Sequence, residues 1–441
     1  MNANKILYWS ITVALAGFLF GFDTVVISGA EQSLQALWNR GDTFHGFVIV
    51  GSALWGTVIG AMFGGMPTDK IGRRKTLFWI GVLYTVSAIG SAMANDPWVF
   101  AAFRFIGGLG VGASTIAAPA YITEISSAEN RGRLVAMYQF NIVFGILVAF
   151  LSNYLISEYV TVNAWRWMIG VEAIPAFIYT LMVFTVPKSP RWLLSQNKHK
   201  EAEKYLQIIS PTESVETMIE TIEKEKAATD KSETIFMEKY RFPLTLAFLI
   251  AFFNQFSGIN ALLYYSKKIF EAGGLDESSA LLSSVGIGVV NLVFTFVGLA
   301  LIDRLGRRQL MYIGSFGYIF SLSMTALAFA LGWTGFIVPL FLFLFIAAHA
   351  IGQGTVIWVF ISEIFPTHLR ANGQSFGSST HWVLAALIPS SIPFLFSTIG
   401  ESAVFATFAV MMIFQLIFVW KMMPETKGKT LDEVNAEMIE R

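Results

Sequence analysis

Twelve runs of about twenty predominantly apolar residues, each long enough to cross a bilayer core, dominate this chain. They fall at 7–29, 45–65, 76–94, 98–122, 134–157, 166–186, 243–270, 279–301, 310–330, 336–361, 376–397 and 402–423. Hydrophobic residues make up 55% of the 441 and charged residues 14%, more apolar surface than one water-soluble core can hide. The first run starts just behind Lys5 and is longer than a signal-peptide core, so it reads as a retained span. The expectation is an all-α membrane protein of twelve transmembrane helices.

The charged loops repeat. Asp69-Lys70-Ile71-Gly72-Arg73-Arg74 returns 234 residues later as Asp303-Arg304-Leu305-Gly306-Arg307-Arg308. Glu124 with Arg131 answers Glu363 with Arg370 at an offset of 239, and Pro187–Arg191 answers Pro424–Gly428 at 237. Three echoes at nearly constant offset imply two similar six-helix halves, and internal repeats in a membrane protein point first to transporters. The expected divisions are an N-terminal half (1–187), a cytoplasmic linker of short amphipathic helices (188–242), a C-terminal half (243–423) and a cytoplasmic tail (424–441). In the linker, Leu193, Leu194, Tyr205, Leu206, Ile208 and Ile209 recur at helical spacing.

Charge placement orients the chain. With the N-terminus cytoplasmic, inward loops and tails carry 25 of the 30 Lys and Arg residues, while outward loops carry only Arg40, Arg166, Lys267 and Lys268. Both termini are therefore expected in the cytoplasm. The net charge of zero says nothing about acidic partners or nucleic acid, and no nucleic-acid partner is expected. The absence of cysteine excludes disulfides and thiolate chemistry but names no compartment. Gly428-Lys429-Thr430 imitates the end of a P-loop, but Met423 replaces its first glycine and no strand precedes it; the five histidines form no ligand cluster. No enzyme, cofactor or metal is expected.

Three ionisable residues stand inside the runs: Asp23, Arg104 and Glu172. Each costs about 3 kcal/mol at the bilayer centre unless paired or facing water. All three lie about six residues, or roughly 9 Å, below the outer ends of their runs, so they can meet. A carboxylate beside one guanidinium and a further acid has a switchable proton affinity, as proton coupling requires; the same pair could instead be static and only fix helix packing. A sugar site needs amides for the hydroxyls and an aromatic face for the C–H surface. Gln139 in the first half and Gln255, Asn260, Tyr264, Asn291, Trp358 and Trp382 in the second supply these, although single amides in spans also serve as interhelical glue. Glycines 107, 108, 110 and 112 read as sites of close helix packing.

Twelve spans in two halves, with Asp-x-x-Gly-Arg-Arg after the second and eighth, resemble the major facilitator superfamily. Pro187–Arg191, Gln255-Phe256-Ser257-Gly258-Ile259-Asn260 and Pro424–Gly428 make the chain similar to its sugar porter family, specifically to bacterial proton-coupled monosaccharide transporters. The resemblance implies an inner-gate latch of Asp69, Arg73, Arg74, Glu124, Arg131, Asp303, Arg307, Arg308, Glu363 and Arg370, made facing outward and broken facing inward. The same charges would also follow in part from topology alone. It further implies sugar-binding positions at Gln139, Gln255, Asn260, Asn291, Trp358 and Trp382. Tyr264 and Tyr265 match the tyrosines that close over the sugar, and Asp23 matches an acid that proton symporters carry.

The chain departs from that pattern in four places: Asn254 for a glutamine, His381 for an amide beside Trp382, Thr355 where a proline would kink the tenth span, and Lys188 for the glutamate before Ser189-Pro190-Arg191. His381 is expected to be a hydrogen-bonding wall of the sugar site, with titration as the alternative. Thr355 is expected to leave the tenth span less kinked, and Lys188 to remove a salt bridge. The implied activity is import of a monosaccharide (hexose, pentose or inositol) with a proton by alternating access, by a monomer in the cell inner membrane. A passive sugar uniporter is the nearer alternative, a non-transporting sugar sensor the more distant one.

Overall fold

The computed structural model describes residues 2–126, 131–209, 214–217, 219–220, 233–366 and 368–440. Among them there is no strand, and eleven helices are long and apolar enough to cross a membrane. They are α1 (Lys5–Trp38), α2 (Asp42–Phe63), α3 (Arg73–Met93), α4 (Pro97–Ile125), α5 (Ala136–Tyr159), α6 (Ala164–Val183), α7 (Glu238–Ala272), α8 (Glu277–Leu305), α9 (Arg307–Ala330), α10 (Ile337–Glu363) and α11 (Arg370–Lys421).

Eleven rather than twelve arises from α11. Its 52 residues would extend roughly 78 Å at 1.5 Å per residue, more than twice a bilayer core. The helix breaks at Gly400, whose φ of 79° and ψ of 163° only glycine adopts without strain. The break falls between the two last apolar runs, so the two arms of α11 take the places of the eleventh and twelfth.

The chain forms two compact units. One gathers Met1–Val26, Ser52–Ala149 and Val162–Asp230; the other gathers Ile27–Gly51, Phe150–Thr161 and Lys231–Arg441. In the first, α3 packs along α4 and α6. A Cβ at Gly108 would stand 1.9 Å from the Ala53 carbonyl oxygen, so the small residues of α4 let α2 approach backbone to backbone. In the second, α9 packs on α10 and α11, and α7 on α11. Here too the stretch after Phe44 meets α11, with Gly46 against the Ser390 carbonyl. Large apolar side chains such as Trp79, Phe177, Phe184, Phe316 and Phe414 are exposed, as lipid-facing residues are.

Two spans differ from expectation in outline. Helix α1 continues nine residues beyond the end expected at 29, so Asp23 lies fifteen residues from its end, roughly 22 Å rather than 9 Å. Helix α10 is interrupted at Gly352 despite the missing proline, and Thr355 Oγ1 donates to the Ala350 carbonyl at 2.6 Å. Thr355 therefore does not straighten it; a hydroxyl takes up a carbonyl beside the break. In the linker, Pro190–Ser195 and His199–Ile209 are helical and bury Leu193, Leu194, Leu206 and Ile209. Its stretches 210–213, 218 and 221–232 lie outside the described residues.

Candidate functional site

Asp23, Arg104 and Glu172 come together inside the first unit, each at most 2% exposed. Arg104 donates through Nη1 to Asp23 Oδ1 and through Nη2 to the Asp23 carbonyl, the latter at 3.2 Å. Glu172 faces both, and its Oε1 has no hydrogen-bond partner among the described residues. It stands where α6 is interrupted, between Ala164–Gly170 and Ala173–Val183. Tyr84 lies within electrostatic reach of both acids, and a Cβ at Gly107 would meet Ser87 at 2.3 Å and Asp23 Oδ1 at 3.9 Å. One guanidinium balances one carboxylate, so the group is electrically neutral when it also holds one proton.

The second unit assembles the amides and aromatic rings. Gly258, with φ of 83°, separates the helical stretches Arg241–Phe256 and Ile259–Ala272 of α7. Asn260 Nδ2 donates across that break to Gln255 Oε1 at 2.8 Å. Gln255 Nε2 lies 2.9 Å from Asn254 Oδ1 and 3.2 Å from His381 Nδ1. The His381 ring stands edge-on between Trp358 and Trp382, at 5.1 Å from each. His381 is thus a hydrogen-bonded wall of this cluster. Tyr265 is a second kink in α7, and its hydroxyl donates to the Pro389 carbonyl at 3.0 Å. Tyr264 and Asn291 are buried on α7 and α8. Gln139 lies half-buried on α5 in the first unit.

The charged echoes close into two matching clusters, one within each unit. Arg73 donates to both Glu124 oxygens at 3.0 Å and to Asp69 at 3.0 Å. Arg307 does the same with Glu363, at 3.1 and 2.7 Å, and with Asp303 at 3.3 Å. Ser189 bonds Glu124, and Thr426 bonds Glu363 at 2.7 Å. Arg74 and Arg308 reach the carbonyls of Phe184 and Trp420 at the ends of following helices. Members of all three sequence echoes therefore meet in space: Arg73 with Glu124 and Ser189, and Arg307 with Glu363 and Thr426. Arg370 is half-buried at the start of α11, and the side chain of Arg131 lies outside the described residues. Lys188 pairs outside its motif, with Glu201 at 2.9 Å.

Some buried polar groups were not anticipated. Glu31 and His45 are 0% and 1% exposed and pair at 3.0 Å, and Lys267, expected in a loop, is buried against Glu277 at 2.5 Å. The first pair was missed because α1 was ended at 29, which put Glu31 in water. Gln353 and Gln415, amides within apolar runs, extend the Gln255 cluster: Asn254 Nδ2 reaches Gln353 Oε1 at 3.5 Å, Gln353 Nε2 donates to Gln415 at 2.9 Å, and Gln415 Nε2 to Ser315 at 2.9 Å.

A two-unit helical bundle with a buried acid–guanidinium group in one unit and an amide–indole cluster in the other defines a membrane transporter. Residues 9–438 match the family described as "Sugar (and other) transporter". The chain is 31% identical to the D-xylose-proton symporter of Escherichia coli strain K12, over 99% of this chain and 96% of that one. It is 34% identical to the glucose transporter GlcP of Staphylococcus epidermidis, over 100% and 99%. The partially occluded inward-open structure of the E. coli xylose transporter XylE superposes with a TM-score of 0.87, at 31% identity, over 97% of this chain and 100% of that one. The chain belongs to the sugar transporter family of the major facilitator superfamily; it is a transporter and not an enzyme.

Proposed function

We propose that the protein imports a monosaccharide together with a proton by alternating access. The observation that carries this reading is the buried Asp23–Arg104–Glu172 group, two acids on one guanidinium in a chain that crosses a membrane. A static pair needs only one acid; the second provides a place for the proton. The sugar is assigned to Gln255, Asn260, Tyr264, Asn291, Trp358, His381 and Trp382, with Gln139 from the other unit. Relatives that carry xylose with a proton or transport glucose support a monosaccharide.

The latch role of Asp69, Arg73, Arg74, Glu124, Arg131 and their counterparts Asp303, Arg307, Arg308, Glu363 and Arg370, and closure over the sugar by Tyr265, belong to the same proposal. So do a monomer, both termini in the cytoplasm of a cell whose inner membrane holds the protein, and division at 187, 242 and 423. Within the second unit, Gln32 donates to Glu271 at 2.6 Å and Ser278 to Glu158 at 2.6 Å, ties that join first-half helix ends to second-half ones on the side assigned as outer.

The test is reconstitution in liposomes with a pH dye and a monosaccharide panel, comparing wild type with Asp23→Asn. Sugar-dependent alkalinisation outside, lost in the variant while sugar counterflow survives, is the expected result. Sugar entry without proton movement, unchanged in the variant, would make the protein a uniporter.

A further inference from the structure

Hydroxyl side chains from four helices of the first unit gather beside the acid group, on the side assigned as inner. Helix α4 runs inward from Pro97, so Ser114 lies ten residues beyond Arg104, roughly 15 Å deeper. Helix α6 runs the same way, and Tyr179 follows Glu172 by seven residues, two turns further in on about the same face. Tyr138 stands near the inner start of α5. Tyr84, on α3, lies one turn inward of Ser87, which stands with Asp23 around Gly107. The Tyr84 ring is 3.8 Å from where a Cβ at Gly110 would stand, and the Tyr179 ring 3.0 Å from one at Gly81, a single turn from Tyr84.

The protein leaves several of these groups unsatisfied. The Tyr84 and Tyr179 hydroxyls and Glu172 Oε1 are buried with no hydrogen-bond partner among the described residues. Ser114 Oγ donates to the Val111 carbonyl at 2.7 Å, which leaves it to accept from Tyr84 beside it or from the Tyr138 hydroxyl at 3.5 Å. Buried polar groups that no side chain satisfies take water as their partner, and water between hydroxyls makes a continuous hydrogen-bonded path. Tyr84 lies within electrostatic reach of Asp23, Glu172 and Tyr138, so such a path has the acids at one end. Its other end is Tyr138, 7% exposed where Tyr84 and Ser114 are 0% exposed. Packing alone does not call for these hydroxyls: phenylalanine would fill the same space without burying an unpaired donor.

We propose that Tyr84, Ser114 and Tyr138, with water among them, relay the proton between the acid group and the inner side of the membrane; this rests on the proton-coupled import proposed above. In release, the O–H bond of the protonated acid breaks as its proton passes to the oxygen of Tyr84, whose own proton passes on to Ser114. Ser114 turns its donor from the Val111 carbonyl to Tyr138, and Tyr138 gives its proton to water at the inner side. Each O–H bond formed is matched by one broken, so no phenolate forms and every hydroxyl ends neutral.

The experiment is the liposome assay on the full-length protein, reading sugar-driven proton flux and sugar counterflow on one preparation of wild type, Tyr84→Phe, Tyr138→Phe and the double variant. Each substitution keeps the ring and removes only the hydroxyl. Either single variant is expected to lower proton flux about a hundredfold, the worth of a positioned proton-transfer group, with counterflow unchanged because exchange of sugar needs no proton release. The double variant should lose no more than the single ones, since both interrupt one path in series. Ser114→Ala is the third interruption if a tyrosine variant does not fold, and its proton flux must also fall. Unchanged proton flux in these variants, equal loss of flux and counterflow, or losses that multiply in the double variant overturn the relay and leave proton symport standing. Sugar entry without protons in wild type overturns the symport reading and the relay with it.

Discussion

Glu31 and His45 face each other at 3.0 Å with neither side chain in contact with solvent. Removing one partner strands the other in the interior, whereas removing both leaves only packing to repair. His45→Leu is expected to cost about 3 kcal/mol of stability, and Glu31→Leu with His45→Leu to recover most of it. Thermal melting of the two variants in one detergent checks this; equal losses would mean the pair is not coupled.

Arg307 holds Glu363 through two nitrogens, a geometry that lysine cannot reproduce. Arg307→Lys is expected to slow sugar transport about tenfold, the effect of about 1.4 kcal/mol in a barrier, with sugar affinity nearly unchanged. Transport assays beside equilibrium binding separate the two. A fall in affinity with an unchanged rate would place the residue in binding rather than gating.

Gly258 sits in the left-handed region, and a Cβ there would meet the Phe408 ring at 2.5 Å. Gly258→Ala is expected to lower stability by about 2 kcal/mol through backbone strain and ring displacement. It should also reduce sugar counterflow, because the Asn260–Gln255 bond spans that break. Melting and counterflow measured on the same preparation check both.

Outside the membrane, hydrogen bonds from Lys239, His368 and Tyr240 hold the Glu233 carboxyl down at about 2, from an ordinary value of 4.5. A carboxyl lowered by folding stabilises the folded form above its unfolded value and loses that effect as pH falls through its folded one. The stability difference between wild type and Glu233→Gln is therefore expected in full above pH 4.5 and to vanish as pH falls through about 2. Melting curves of both proteins across that range provide the measurement.

Features set by a strong local penalty could be read from the sequence. Twenty apolar residues have no stable place but a bilayer, and the repeated acid–arginine loops showed which residues correspond between halves. Asp23 and Arg104 could be paired from cost alone. Glu31 and His45 could not, because their burial depends on α1 continuing past the apolar run to Trp38. The break in α10 was obscured for a similar reason: Gly352 adopts ψ of −101° in its tertiary setting, where a proline would have announced a kink. The partner of Lys188 was equally hidden, since Glu201 comes near it only through the turn between two linker helices.

The row of amides has a direction. Asn260 donates to Gln255, Gln255 to Asn254, Asn254 to Gln353, Gln353 to Gln415 and Gln415 to Ser315, which in turn donates to the Met311 carbonyl. That last group can only accept, as can the Ile250 carbonyl that also receives from Gln353, so the far end sets the polarity of every amide before it. The Asn260 end, where the sugar is proposed to bind, consequently offers the oxygen of Asn260 as an acceptor. A change at Ser315, remote from any sugar, would act as a grammatical change rather than a change of vocabulary: the same residues would line the site, but their sense of donation could reverse, and with it which hydroxyls are welcome.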